Sequence, residues 1–420
     1  MFAHTTILPW YRKGVRQLAE RKVLDGNEAV AMALRLVRVQ VIATYPITPQ
    51  SPIAEKLADY VADGSLPAKY IRVESEHSAL AATIGAQLTG VRACTATSSV
   101  GLALMHEVLG VASGCRIPIV MPVVNRSLVS PWSLWCDHQD TMAVRDAGWL
   151  QFYAGSNQEV LDGVLMACRI AEDARVLLPA MVCLDGFFLS HASGVVLVPG
   201  QAEVDSFLPA YRSLNLHLDP DDPMFVNDLT PPAEFTEMRY QQQLAMQNAL
   251  TVIPEVEEEF ARAFGRRYHL VEGYCLDDAE AVVVTMGSMS GTARYVVDAL
   301  RSSGRRVGAV QIRTFRPFPG EILRQLLAGR PAVGVVDRSA GMGAEGGPLW
   351  TEVKSAMAGV PGCPPPAGFI AGLGGRDIPP ATLEKVFGLL LEVAAGQSSA
   401  AGNIWIDVGE NPLGLREVGI

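Results

Sequence analysis

Four short segments of this chain bring together residues able to hold a carboxylate or a reactive ring. In Tyr45-Pro46-Ile47-Thr48-Pro49 two prolines keep the backbone extended, and Thr48 offers a hydroxyl just before a helix start at Pro52. Backbone N–H groups at a helix N-terminus suit an anion, although the same residues also make a plain strand-to-helix turn with a capping threonine. Val73-Glu74-Ser75-Glu76-His77 places acids in a first helical turn, where they complement the macrodipole or present a carboxyl to a ligand. Thr95-Ala96-Thr97-Ser98-Ser99 is a hydroxyl-rich turn that either touches a substrate or caps the next helix. Val124-Asn125-Arg126-Ser127 ends the most apolar strand. The fixed fork of Arg126 fits a carboxylate, either a ligand's or that of a nearby acid.

Other groups carry less. Asp137, His138 and Asp140 have ligand chemistry, but a loop of this kind reads as a polar network, and no metal is assigned to it. His77, His106 and His191 can move protons or serve as satisfied structural histidines. The glycine-rich Gly341 to Pro348 does not match a dinucleotide fingerprint, because its spacing is wrong and it does not follow the first strand of a unit.

These segments need a scaffold that brings strand ends together. Strand-like runs at Val41 to Tyr45, Tyr70 to Val73, Val91 to Ala96, Ile117 to Val124 and Ala180 to Leu184 alternate with helical stretches. That alternation implies a parallel sheet covered on both faces, and ligands of such sheets bind beyond the carboxyl ends of the strands. A long loop is expected between Val124 and Asn157, with Asn27 capping the first helix. A second, smaller alternation begins at Ala281 and ends with a helix over Pro380 to Ala394. The expected organisation is an α/β chain of two doubly wound parallel-sheet domains. An N-terminal arm covers 1–25, the first domain 26–198, a connector with a long helix over Pro232 to Phe264 fills 199–270, the second domain covers 271–396, and a tail follows at 397–420.

The chain has 420 residues, of which 49% are hydrophobic and 19% charged, enough apolar material for two cores. A mean hydropathy of +0.21 without a run of membrane length points to extensive subunit contacts. A net charge of −10 argues against nucleic-acid binding. Seven scattered cysteines, none two residues from another, exclude a zinc ribbon or ferredoxin-type cluster made by this chain alone. Their odd number and the lack of a signal-peptide pattern fit a reducing cytoplasm.

A glutamate at position 76 is also what a thiamine enzyme needs. A carboxyl bonded to the cofactor's aminopyrimidine ring favours the imino tautomer that removes the thiazolium C2 proton. Taken in order, the segments above resemble the α subunit of the 2-oxoacid:ferredoxin oxidoreductases, closest to the pyruvate type. Gly26 to Ala29, Trp135 to Gln139, Leu184 to Phe187 with Ser190-His191, Arg313 to Pro319 and Gly372 to Asp377 share in that resemblance. It implies a thiamine-diphosphate pyrimidine-type domain followed by a transketolase C-terminal-like domain. It assigns Thr48 and Arg126 to the 2-oxoacid carboxylate, Glu76 to cofactor activation, and Pro46 and Ile47 with Glu76 to the cofactor. The implied reaction is oxidative decarboxylation of a 2-oxoacid, pyruvate first, to an acyl-CoA and CO2. Phenylglyoxylate, oxalate, arylpyruvates and branched-chain 2-oxoacids are the alternatives, and a non-catalytic scaffold is the rival of another class. No Gly-Asp-Gly with a downstream Asn is present, so thiamine diphosphate is shared. Mg2+ would lie on a β subunit, [4Fe-4S] clusters on partner subunits such as γ and a ferredoxin-like δ, and coenzyme A would be co-substrate.

Overall fold

The computed structural model describes residues 19–399 and 403–409, so most of the expected arm and much of the tail lie outside the described residues. Six parallel strands make the first sheet. Lys69–Arg72, Val41–Thr44 and Ala93–Cys94 form one half, and Val120–Asn125, Ala180–Asp185 and Leu150–Tyr153 the other. A parallel bridge between Thr97 and Val123 joins the halves. Every residue of Val120–Asn125 and Ala180–Asp185 is buried, as expected of strands covered on both faces.

The helix Gly26–Leu36 starts at a capping box in which Asp25 and Glu28 each accept the other's backbone N–H. Asn27 is therefore not the cap. It is fully buried, and its amide donates to the carbonyl of Pro49 at 3.0 Å, tying this helix to the Tyr45–Pro49 turn. The expected long loop after Val124 holds a short helix, Gln139–Ala143, and the strand Leu150–Tyr153. That strand was masked in the sequence by Gln151, a polar residue buried because its amide donates to the carbonyl of Thr141. After the Thr95 to Ser99 turn come two helices, Ser99–Leu104 and His106–Gly114, and the connector contains the helix Gln201–Phe207.

The second sheet runs Asn403–Trp405, Ala367–Ile370, Ala332–Asp337, Ala281–Met286, Val307–Ile312, Val271–Tyr274, with only the last strand antiparallel. Part of the tail is thus an edge strand. Part of the arm is a strand too, since Glu20–Leu24 pairs antiparallel with Gly194–Val198. The motif at Arg313 to Pro319 leaves the second sheet and adds Thr314–Arg316 antiparallel to Leu150–Tyr153 of the first. Arg313, at the crossing, pairs with Glu159 at 3.0 Å and Glu272 at 2.5 Å.

The 33-residue helix Pro232–Phe264 is about 50 Å long and ends at Gly265, whose φ of 73° closes it in the left-handed conformation. Ala245, Ala249, Val252, Ile253, Val256 and Phe260 form its buried stripe, which packs on Asn157–Ala171. Glu257 lies in this stripe with no hydrogen-bond or ion-pair partner among the described residues, and it lines a crevice with Met166, Ile170 and Val182. Burial pushes its carboxyl up to about 8, opposed only by the charge of Arg313. The folded state therefore binds a proton that the unfolded chain releases near its ordinary value of 4.5. Stability is kept below that value and lost as pH rises towards 8, by about 1.4 kcal/mol per unit at most. Glu257→Gln is expected to melt close to the parent at about pH 5 and several degrees above it at about pH 8.5, read by thermal denaturation of the purified protein.

Candidate active site

Four neighbouring strands, Lys69–Arg72, Val41–Thr44, Ala93–Cys94 and Val120–Asn125, each release one of the chemistry-bearing segments at their carboxyl edge. With strands about 4.8 Å apart, this places Thr48, Glu76, Thr97 and Arg126 along one edge of the sheet, where the crevice of such sheets lies.

Arg126 is buried by side-chain packing yet pairs with no carboxylate. Its Nη1 donates to the carbonyl of Thr48 at 2.8 Å and its Nε to the carbonyl of Ser133 at 3.3 Å. The salt bridge considered for it does not form, since no Asp or Glu side chain among the described residues lies within ion-pair distance. Burial holds its pKa below the ordinary arginine value, countered by the charge of Asp140, and an arginine stays cationic regardless. A desolvated cation held only by two carbonyls is suited to a ligand carboxylate. Thr48 is exposed beside it, and its hydroxyl is not the cap of Ser51–Ala62, which starts without a side-chain cap. Pro46 is exposed and Ile47 half-buried on the same turn, where the Ile47 carbonyl accepts the N–H groups of Gln50 and Ser51.

Glu76 opens the helix Glu76–Leu88 behind the cap Ser75, and it is 7% exposed. No described residue donates a hydrogen bond to its carboxyl or pairs with it, which leaves that carboxyl open to a ligand. Gly101 makes room for it, because a β-carbon at position 101 would lie 2.6 Å from Glu76 Oε1 and 2.6 Å from Thr97 Oγ1. The hydroxyls of Thr95, Thr97 and Ser98 are buried without partners as well. Of the three histidines, His77 sits 3.6 Å from the exposed Glu107, His106 is exposed, and His191 bonds Ser190, so none reaches Glu76.

Residues that the sequence left in the background hold these groups in place. The Asp140 carboxylate accepts the backbone N–H groups of Ser99, Arg126 and Thr141 and the amide of Asn125, all at 2.8 to 3.0 Å. Burial raises its pKa to about 6 against the pull of those donors. Gly186 lets the Leu184 to Phe187 motif press on the turn, since a β-carbon there would lie 2.4 Å from the Asn125 carbonyl oxygen. Trp135 packs at a tilt against Phe187 with centroids 5.0 Å apart, while Trp132 projects outward.

Cys136, His138 and Asp185 converge in the manner of metal ligands, but a guanidinium already fills the cation position: Arg338 Nη1 lies 3.0 Å from Asp185 and 3.8 Å from Cys136 Sγ. Burial would raise the Asp185 carboxyl, yet His138 and Arg338 outweigh it and hold it well below the ordinary range. In the Gly341 to Pro348 loop, Asp337 accepts the N–H of Trp350 and leaves Gly347 no space for a β-carbon. A carboxyl therefore takes the helix N-terminus that a dinucleotide phosphate would need.

Comparisons with known proteins show the family of the chain. The family described as pyruvate flavodoxin/ferredoxin oxidoreductase, thiamine diP-bdg, matches residues 32–258, and pyruvate:ferredoxin oxidoreductase core domain II matches residues 279–383. The chain is 48% identical over 365 residues to the pyruvate synthase subunit PorA of Methanothermobacter thermautotrophicus, covering 87% of this chain and 94% of that one. It is 47% identical over 358 residues to the ketoisovalerate oxidoreductase subunit VorA of Pyrococcus abyssi, covering 85% and 90%. A solved 2-oxoglutarate:ferredoxin oxidoreductase from Magnetococcus marinus shares the fold with a TM-score of 0.68 at 19% identity, over 90% of this chain and 66% of that one. The crevice residues thus lie within a thiamine-diphosphate-binding domain, and the chain belongs to the pyruvate flavodoxin/ferredoxin oxidoreductase family.

Proposed function

We propose that this chain is the α subunit of a pyruvate:ferredoxin oxidoreductase and contributes the substrate grip and the cofactor-activating acid to a shared active site. One observation carries the reading: a buried arginine without a carboxylate partner stands at the same sheet edge as a buried glutamate without a donor. The first calls for an anionic ligand group and the second for a hydrogen-bonding ring.

The crevice fits the pyrimidine half of thiamine diphosphate. Glu76 is free to bond a ring nitrogen, Gly101 keeps that carboxyl unobstructed, and Pro46 and Ile47 on the turn after the neighbouring strand offer apolar surface. When bound, the cofactor supplies the nucleophilic carbon and the electron sink for decarboxylation. Glu76 holds the proton shared with the ring nitrogen and sets its tautomer. Arg126 and Thr48 bind the carboxylate of pyruvate and orient it for loss as CO2. In this reading the chemistry belongs to residues 26–198, and the connector at 199–270 joins them to the domain at 271–396.

A diphosphate and Mg2+ clamp is assigned to a β subunit, and the iron–sulfur clusters to further subunits of γ and ferredoxin-like δ type. Coenzyme A takes the acyl group and ferredoxin the electrons. Val100, Leu104, Val129, Trp132 and Trp135 are apolar and exposed around the crevice, which suits a covering partner. No helix among the described residues is long and apolar enough to cross a membrane, and the reading places the assembly in the cytoplasm.

The carboxylate grip serves any 2-oxoacid, and pyruvate is preferred because pyruvate synthase subunits are among the relatives at 45% to 49% identity. A branched-chain 2-oxoacid is the second reading, favoured by the 47% identity to the ketoisovalerate subunit. Turnover of a 2-oxoacid panel by the purified complex, with coenzyme A and a low-potential viologen, separates them. Highest kcat/KM on pyruvate is expected, and preference for 2-oxoisovalerate would overturn the choice.

Glu76→Gln is expected to lower kcat by about a hundredfold or more while the complex still assembles. Unchanged turnover would reduce the chain to a scaffold. Arg126→Met should raise KM for pyruvate by roughly ten- to a hundredfold, the cost of a charge-assisted pair. The chain without its partners should show no turnover until the remaining subunits are added.

A further inference from the structure

We infer that Asp137 is a positioning residue for the 2-oxoacid grip, acting by fastening the Arg126 loop to the second domain through Gly374. The inference rests on the proposed role of Arg126 and adds a part that the family resemblance does not assign.

Arg126 leans on the carbonyl of Ser133, so the position of its guanidinium follows that of the loop over 133–139. Several polar groups of this loop are fastened to the second domain. Ser133 Oγ donates to the Gly374 carbonyl, and the Gly375 N–H donates to the Cys136 carbonyl at 2.7 Å. The His138 N–H donates to the Arg338 carbonyl, and the Gln139 amide donates to the Ala340 carbonyl. Asp137 closes the set. Its Oδ2 accepts the Gly374 N–H at 3.1 Å while its Oδ1 accepts the N–H of Gln139 at 3.0 Å.

The glycines of the Gly372 to Asp377 motif permit this approach. Gly372, Gly374 and Gly375 have φ of 76°, 56° and 77°, a conformation that favours glycine. A β-carbon on Gly375 would lie 2.1 Å from Trp135 Cβ. Asp137 is 1% exposed, so both of its acceptor contacts are shielded from water, and losing them leaves two N–H groups unpaired. Behind the loop, Asp185 binds His138, Ser288 and Arg338 together, and Arg338 stacks over Phe188 at 4.5 Å. The second domain is thereby part of the machinery that aims Arg126.

The test is a double-mutant cycle in the purified complex, with pyruvate turnover measured for Asp137→Ala, Arg126→Met and the pair. Asp137→Ala should raise KM about tenfold with kcat within roughly twofold, and Asp137→Asn, which keeps one acceptor for Gly374, should recover most of the loss. In the Arg126→Met background Asp137→Ala should add no further KM effect, because its route to the substrate is gone. Independent, multiplying effects would overturn the inference. So would a fall in kcat alongside a lowered melting temperature, which marks a purely structural role. An unchanged KM for Arg126→Met alone would instead overturn the proposed grip, and the inference with it. Should Asp137→Ala fail to assemble, Ser133→Ala takes its place in the cycle, since it removes the Oγ contacts to Gly374 and to the Trp135 N–H. It should raise KM in the parent and not in the Arg126→Met background, and multiplying effects would again overturn the inference.

Discussion

One buried carboxylate sets the geometry of the candidate site. Asp140 receives backbone N–H groups from the turns after two different strands, at Ser99 and at Arg126, and so sets the distance between them. Three of its four donors are backbone groups, which cannot swing away as a side chain can. The arrangement is costly, because burial disfavours the ionised form and raises the pKa to about 6. Yet the charge is what makes each of those bonds strong. The fold accepts a less stable core in exchange for a fixed sheet edge, a common settlement at functional sites.

The two domains share polar structure rather than merely touching. Thr314–Arg316 crosses into the first sheet, Arg313 bridges Glu159 and Glu272, and Arg338 neutralises Asp185 beneath the loop that follows Arg126. The second domain thereby holds the loop that follows Arg126.

Much of this was legible in the sequence, and the reason is the period of its apolar residues. The helices Pro232–Phe264 and Pro380–Ala394 are readable to their last residue, because burial of their core-facing residues dictates the pattern. Thr48, Glu76 and Arg126 stand in the turns that follow three strands, which is where a parallel sheet directs its ligands. What escaped was whatever depends on a partner far along the chain. Leu150–Tyr153 and Thr314–Arg316 are short and carry buried polar residues, so only their pairing makes them strands. The roles of Asp140, Asp137 and Gly374 arise from contacts across 14 to 237 residues, which no local window contains. Asn27 was taken for a cap because its type suits one, and only the geometry shows Asp25 in that position.

The crossing strand has a consequence for how the chain is made. Until Thr314–Arg316 has been synthesised, Leu150–Tyr153 is an open sheet edge, separated from its partner by about 160 residues. At ordinary elongation rates that interval is roughly ten to thirty seconds on the ribosome. An unpaired edge beside a buried sheet is a template for wrong pairing, so the nascent first domain passes through a window in which a chaperone or an early subunit partner has an edge to protect. The ribosome must deliver a large part of the second domain before the first can close.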